Sequence, residues 1–450
     1  MSAFHAYDIR GEWGRDVSAD LFHRVGRRLP GLLGAGRVLV GRDARLSSPE
    51  AFEALARGIC EAGADVDDIG VCTTPETYYF TGERGYKAAA MITASHNDKE
   101  CNGLKISREG ALPVGGDTGL RRLEALVGEE LPPPAPRRGE VRRLDLLDEY
   151  VAFQKKALPD LSGLKVVFDC SCGVGSVVAH PLYDGCGAET RWMNDVPDGA
   201  FPAHRPNPLL PEAREGLAAA VRGSGADCGV MFDGDADRVA FIDETGAFVR
   251  PDLVTAFLAA HFLAREPGAP ILCDIRTSRS VTDRIAALGG EPTLWKVGHA
   301  FAKVKLRELG APVGGELAGH YYFRDFHNCD SAMLCASIVL GLVADAKKRG
   351  ETLGALVRAL DVRRNGGEMN YVVSDKAAAL AAVSDWIARG QKPERVLSFD
   401  GIRADWADSW VSVRQSNTEP YLRLIVEADT EERFEEKLSQ VLGVISPFVK

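Results

Sequence analysis

No run of about eighteen uncharged apolar residues occurs in the 450-residue chain, so no bilayer-crossing helix is expected. The opening MSAFHAYDIRGEWG has no basic start ahead of an apolar stretch, so no leader is expected either, and the chain reads as soluble and cytoplasmic. Positive charge is in short supply. The formal net charge is −10, which argues against a nucleic-acid reader and leaves room only for a local basic pocket. The ten cysteines are scattered, with Cys170 and Cys172 the one close pair, and no CxxC or Cys/His cluster has zinc spacing. Buried thiols in a reducing compartment are the expectation. A GxxxxGK[ST] phosphate loop is missing, and GVGSV lacks the third glycine of a dinucleotide fingerprint because Val178 stands there.

What is present is ordinary globular material, 45% hydrophobic and 26% charged, in a length that one core rarely supports. Between two and four domains are expected on size. RVLVGRD, the helical SPEAFEALARGICEAG, DDIGVC and AAAMITAS read as strands and crossover helices of a largely parallel sheet, with Ser95 where a strand ends. Ligands gather at the carboxyl ends of strands in open α/β sheets. After LPPPAP, a proline run that reads as a linker, a second unit holds GLKVVFDCSCGVGS and DCGVMFDGDADRVAFIDETGAFV, the latter a strand, loop and hairpin. A third unit follows with PILCDIRTS, PTLWKV and VGGELAGHYYF, then two helices. The last part reads as a small antiparallel sheet backed by helices. The expected fold is α/β: three similar α/β domains with mixed sheets, residues 1–140, 141–250 and 251–363, and an α+β domain, 364–450, around one central cleft.

Two segments point to phosphoryl chemistry when taken together. MITASHNDKECNGLKI offers a hydroxyl, Ser95, and a lysine, Lys105, inside an apolar run, while MFDGDADR offers Asp233, Asp235 and Asp237, two residues apart. Three carboxylates spaced by two in an extended loop project to one side and suit a hard cation such as Mg2+. An EF-hand reading fails because Arg238 stands where that loop needs glycine and the flanks read as strands. A dehalogenase-like nucleophile at Asp233 and a solvated acidic turn are the other readings. Ser95 alone would pass for a capping turn residue. It has no GxSxG around it, and a histidine next in sequence, His96, ordinarily points away from its neighbour's hydroxyl. RQSNTEPYLR combines Arg414, Ser416, Asn417, Thr418 and Arg423 in a hairpin that suits a phosphate cradle. Glu316 and His320, among glycines, offer a carboxylate for paired sugar hydroxyls.

With AYDIRG from Tyr7, GRDAR, TASHN, DGDADR, GGELAGH and RQSNTEP in this order over the whole length, the chain resembles the α-D-phosphohexomutases, within them the phosphomannomutase/phosphoglucomutase group. The resemblance implies that Ser95 is a phosphoserine and that Mg2+ is bound by its phosphate and by Asp233, Asp235 and Asp237. It further implies that Arg10, Arg238 and His96 stabilise the transferred phosphoryl group. Lys105 is the general acid/base candidate, with cationic neighbours and partial burial lowering its pKa. Tyr7, Arg276, Lys296, His299, Glu316 and His320 would line the sugar pocket, and the RQSNTEP residues would hold the phosphate that is not reacting.

The implied reaction interconverts hexose 1-phosphate and 6-phosphate through a hexose 1,6-bisphosphate, which also serves as activator. The partner is then a phosphosugar, with no nucleic acid and no membrane, and the protein is a monomer or weak homodimer. One departure is Ala318, where the family's sugar loop usually has serine; it puts the preference between mannose and glucose in question. Asn417 tilts the reading away from a phosphoglucosamine mutase. A silent sugar-phosphate binder and a Mg2+ phosphatase are the remaining alternatives.

Overall fold

The computed structural model describes residues 3–416 and 421–450. Four sheets succeed one another along the chain, and the first three share one plan. In the first, Val141–Arg143, Asp65–Val71, Arg37–Arg42 and Ala88–Ile92 lie parallel, and Cys101–Arg108 then turns back antiparallel, followed by Ile9–Glu12. In the second, Glu189–Met193, Lys165–Asp169 and Cys228–Phe232 are parallel and Val239–Asp243 turns back. In the third, Glu291–Trp295, Pro270–Asp274 and Val313–Gly315 are parallel and Tyr321–Phe323 turns back. Central strands such as Ala88–Ile92 and Cys228–Phe232 are buried at every position, which is why they read as unbroken apolar runs.

The place where each sheet changes from parallel to antiparallel is a hairpin, and the hairpin loops are residues 93–100, 233–238 and 316–320. These loops carry Ser95, the three aspartates, and Glu316 with His320. Ser95 therefore follows a strand as expected, in the loop of an antiparallel hairpin. The fourth sheet is antiparallel throughout, with Ser409–Gln415 and Tyr421–Ala428 at its centre and the helices Lys376–Arg389 and Glu431–Ile445 packed on it.

Sequence patterning passes over the helix Thr74–Glu83, because residues 74–81 are all buried and no polar face marks its period. Local chemistry nevertheless starts it well. Thr73 caps Glu76, Glu76 accepts from the Thr73 backbone, and Pro75 lies in the first turn.

One apolar core is continuous through the first three units, including Leu39, Tyr79, Phe168, Phe232, Phe326 and Leu340, and the first unit has a second core of its own around Ile9, Phe22, Val40 and Ile92. Tyr79 of the first unit stacks on Phe326 of the third at 6.1 Å between ring centres. The fourth unit has its own core, around Val383, Trp406, Val413, Leu424 and Val441. It meets the third through polar contacts and one ring pair, Trp295 with Phe399 at 5.5 Å between ring centres. Arg403, fully buried, donates to the carbonyls of Ile275 and Thr277 at 2.7 Å each, and Arg279 donates to those of Trp406 and Ala407.

Candidate functional site

Ser95 adopts a left-handed backbone, φ 51°, which a serine tolerates only when its surroundings hold it there. Arg45 does much of the holding. Its buried guanidinium donates to the carbonyls of Ser95 at 2.9 Å, Asn97 at 2.7 Å, Asp98 at 2.6 Å and Cys101 at 3.0 Å, while its Nε donates to Asp43. The second unit clamps the loop from outside, where Arg205 forms a two-pronged pair with Asp98 and Phe201 lies under the Arg45 guanidinium. The left-handed turn also alters the expected direction of His96: its Nδ1 lies 3.1 Å from the Ser95 Oγ rather than pointing away.

Ser95 Oγ donates to Asp233 Oδ2 at 3.0 Å, joining the first and second hairpins. The approach requires glycine at 234, where a Cβ would come within 2.6 Å of the Ser95 carbonyl oxygen. The aspartate loop is a turn with Ala236 left-handed at φ 56°, not the extended ladder expected from the spacing of two. The three carboxylates still converge, with an oxygen of each within 4.8 Å of the others. All three are fully buried. Thr74 donates to Asp235 at 2.6 Å, and Lys105 donates to Asp235 at 2.7 Å and to Asp237. Among the described residues, Oδ1 of Asp235 and of Asp237 has no hydrogen-bond donor. Hard oxygen donors, buried and incompletely satisfied, fit a divalent cation of the Mg2+ class.

Burial, with Asp235 and Asp237 close by, pushes the Asp233 carboxyl well above the usual carboxylate range. Burial acts in the same direction on Asp235, but Lys105 overrides it and holds that carboxylate low. The Lys105 ammonium is correspondingly raised: burial would lower it, and Asp235 and Asp237 more than compensate. This corrects the expectation of a lowered lysine pKa, because the dominant neighbours are anions. His96 is pushed down by burial and then by Arg238 and Arg10, so it is a neutral hydrogen-bonding group here.

The third hairpin adds a histidine whose tautomer is fixed. Arg238 Nε, which only donates, lies 2.9 Å from His320 Nε2, so that nitrogen carries the lone pair. His320 Nδ1 then donates to buried Asp330 at 2.6 Å, and Lys303 pairs with Asp330 at 2.8 Å. Glu316 accepts from the Tyr322 hydroxyl at 2.7 Å and from the Gly298 backbone at 3.2 Å. Burial raises the Glu316 pKa. His299 is buried with neither ring nitrogen hydrogen-bonded among the described residues, and Tyr7 meets its ring edge-on at 4.7 Å. Lys296 is half-buried near Phe301, and Arg10 bridges Asp8 and Asn97 at 2.6 and 3.2 Å.

Arg276 is forked onto Asp274 through Nε and Nη2 and reaches Glu368 with Nη1 at 3.2 Å. Arg423 meets the other oxygen of Glu368 at 3.1 Å. Arg414 contacts both oxygens of Asp400 at 3.0 Å, and Ser416 is buried beside it. Asn417 and Thr418 lie outside the described residues.

Four successive family models match the chain. They are the phosphoglucomutase/phosphomannomutase α/β/α domains I, II and III and the C-terminal domain, over residues 1–131, 147–246, 250–361 and 368–443. The chain belongs to the phosphoglucomutase/phosphomannomutase family. It is 39% identical over 438 residues to a phosphomannomutase of Escherichia coli K12, covering 95% of each chain. With a phosphomannomutase/phosphoglucomutase of Pseudomonas putida it shares 35% over 444 residues, covering 96% of this chain and 92% of the other. The crystal structure of a phosphoglucomutase/phosphomannomutase family protein of Burkholderia thailandensis matches with a TM-score of 0.89 at 30% identity, over 100% of this chain and 98% of that one.

As a member of the phosphoglucomutase/phosphomannomutase family, the protein is an enzyme of the phosphohexomutase type, an intramolecular phosphotransferase. Ser95, His96, Arg10, Lys105, the three aspartates and Arg238 form one connected cluster, with His320, His299, Tyr7 and Glu316 beside it. Arg276 stands with Glu368 and Arg423 at the junction of the third and fourth units. Sequence reasoning passed over Thr74, Lys303, Asp330, Glu368 and Asp400, and gave Arg45 no role. Thr74 sits in the overlooked helix, and the others gain their meaning from partners distant in the chain.

Proposed function

We propose that the protein interconverts hexose 1-phosphate and hexose 6-phosphate, of mannose, glucose or both, with Ser95 as the phosphate carrier and a hexose 1,6-bisphosphate as intermediate and activator. The carrying observation is the placement of the Ser95 Oγ, 3.0 Å from Asp233 and 3.1 Å from His96, within a buried cluster of carboxylates and cations. Such a hydroxyl has counter-charges ready for a phosphoryl group. Asp233, Asp235 and Asp237 would hold Mg2+, which when bound neutralises phosphate oxygens.

In the forward transfer the Ser95 Oγ–P bond breaks as a P–O bond to the free sugar hydroxyl forms. Once Arg238 Nε turns from His320 Nε2 to the phosphoryl group, that nitrogen, whose lone pair is maintained by the Nδ1–H to Asp330 bond, takes the hydroxyl's proton. The departing Ser95 oxygen takes up a proton from water as His320 gives its own up to solvent. Lys105 stays charged and offsets the aspartates, and Arg10 and Arg238 face the transferred group. Glu316, with Tyr7, Lys296 and His299 around it, receives ring hydroxyls. Arg414, Ser416, Asn417, Thr418 and Arg423, with Arg276 across the gap, hold the second phosphate. The bisphosphate turns over in the cleft, and the reverse transfer restores Ser95.

The working units are residues 1–140, 141–250, 251–363 and 364–450 of a cytoplasmic monomer or weak homodimer. Ser95→Ala tests the reading. Intact-mass and phosphopeptide measurements should find one phosphate on Ser95 in the wild type, and the variant should lose interconversion in the presence of bisphosphate. An unmodified serine together with full activity of the variant would refute the proposal. The ratio of kcat/KM for mannose 1-phosphate and glucose 1-phosphate assigns the sugar.

A further inference from the structure

The arginines of the phosphate cradle already have anionic partners, and those partners come from the chain itself. Glu368 sits between Arg276 of the third unit and Arg423 of the fourth, one oxygen to each, at 3.2 and 3.1 Å. Asp400 spans the same gap a second time, accepting from Arg414 at 3.0 Å and from the backbone N–H of Val297 at 2.8 Å. Both carboxylates keep a share of solvent contact, with side chains 18% and 21% exposed. They are part of no apolar core and remain reachable by solvent.

Arg276 shows the arrangement most clearly. Its Nε and Nη2 are committed to Asp274, and the Nη1 that remains for a ligand is the atom given to Glu368. A carboxylate with one charge stands where a phosphate dianion, with more acceptor oxygens and more charge, would make a stronger pair with the same guanidinium groups.

We propose that Glu368 and Asp400 are in-built competitors of the substrate phosphate. They hold the cradle arginines in place and tie the fourth unit to the third until a phosphate takes the arginines over. This rests on the reading of Arg414, Arg423 and Arg276 as phosphate ligands. The purpose follows from the reaction. The bisphosphate has to leave the cradle and return with its other end between two transfers, and a cradle of unpaired buried cations would grip it too firmly. A counter-anion on the protein lets phosphate go without leaving those charges unpaired. The cost is weaker phosphate binding, in proportion to the fraction of cradles the carboxylates occupy. Glu368 and Asp400 are thus positioning residues that set how tightly phosphate is held.

The test is the affinity of the full-length protein for inorganic phosphate by calorimetry, with wild type, Glu368→Gln, Asp400→Asn and Arg414→Ala compared. The amides keep the shape and the hydrogen-bond acceptor and lose the charge. Each amide variant is expected to bind phosphate about three- to tenfold more tightly, with KM for the hexose phosphate lowered and product release slowed. A purely structural role would leave affinity unchanged or weaken it, and either result in both variants overturns the inference. Arg414→Ala separates the two levels of the argument. If it leaves phosphate affinity intact, the cradle reading itself fails; if it abolishes binding while the amides do nothing, only the competitor role fails.

Discussion

Arg45 shows how much of this site depends on a residue buried beneath it. Its guanidinium satisfies four carbonyls of the Ser95 loop and is itself fixed by Asp43, all in a fully buried position. A planar fork can do this, whereas an ammonium offers donors from a single point. Arg45→Lys is therefore expected to keep the fold while releasing Ser95 from its left-handed conformation. Displacement of a nucleophile by about 1 Å can cost about 100-fold, so kcat/KM should fall by that order. Phosphopeptide analysis should show reduced occupancy of Ser95, and thermal unfolding should show a well-folded chain. Unchanged turnover in Arg45→Lys would mean that the loop holds itself. GRDAR is conspicuous in the chain, but nothing in its spacing tells that Arg45 reaches a carbonyl fifty residues on. The same limit applies to charge: Lys105 reads as a lysine among apolar residues, and only its placement against Asp235 and Asp237 reveals that its pKa is raised.

Elements fare better, because a strand buried on both faces and a hairpin with polar turn residues leave local traces. TASHN, DGDADR and GGELAGH each follow an apolar strand, and in each case the structure has a hairpin loop there. The helix Thr74–Glu83 left no such trace, and it supplies both Thr74 and an unusual cap. Glu76 accepts from the Thr73 backbone N–H at 2.7 Å and from its hydroxyl at 3.0 Å, yet burial raises its pKa from 4.5 to about 7. A folded-state pKa above the unfolded one means that the native chain binds this proton more tightly. The stabilisation is complete below about pH 4.5 and is lost as pH rises through about 7, a difference of up to about 3 kcal/mol. Glu76→Gln keeps the acceptor for the cap and carries no charge. It should raise Tm relative to wild type at about pH 8 and change it little at about pH 4, as followed by circular dichroism. An equal effect at both pH values would contradict the burial argument.

At the scale of the whole molecule, the first three units share one apolar core and the fourth does not. Composition and patterning separate the four units in order, but not this difference in how they are joined, since it depends on which surfaces face one another. The join between the third and fourth units is largely polar, and Arg403 is at its centre. It is fully buried, lies 3.9 Å over the Trp410 ring, pairs with Asp405, and donates to the carbonyls of Ile275 and Thr277. A polar join of this kind would let the fourth unit adjust if the proposed cradle takes up phosphate, because hydrogen bonds can be exchanged for water at small net cost whereas buried apolar area cannot. Replacing Arg403 by methionine preserves much of the volume over Trp410 and strands both carbonyls, which should weaken the join by about 3 kcal/mol. The fourth unit should then unfold ahead of the rest. Its tryptophan fluorescence should change at a lower denaturant concentration than the far-ultraviolet signal, and limited proteolysis should cut first in the connection around residues 361–368. The three-unit body, held by its common core, should keep its own transition. A single cooperative transition, unmoved from that of the wild type, would show that the Arg403 contacts do not hold the third and fourth units together and that the rest of the join, the Trp295–Phe399 ring pair at 5.5 Å included, does.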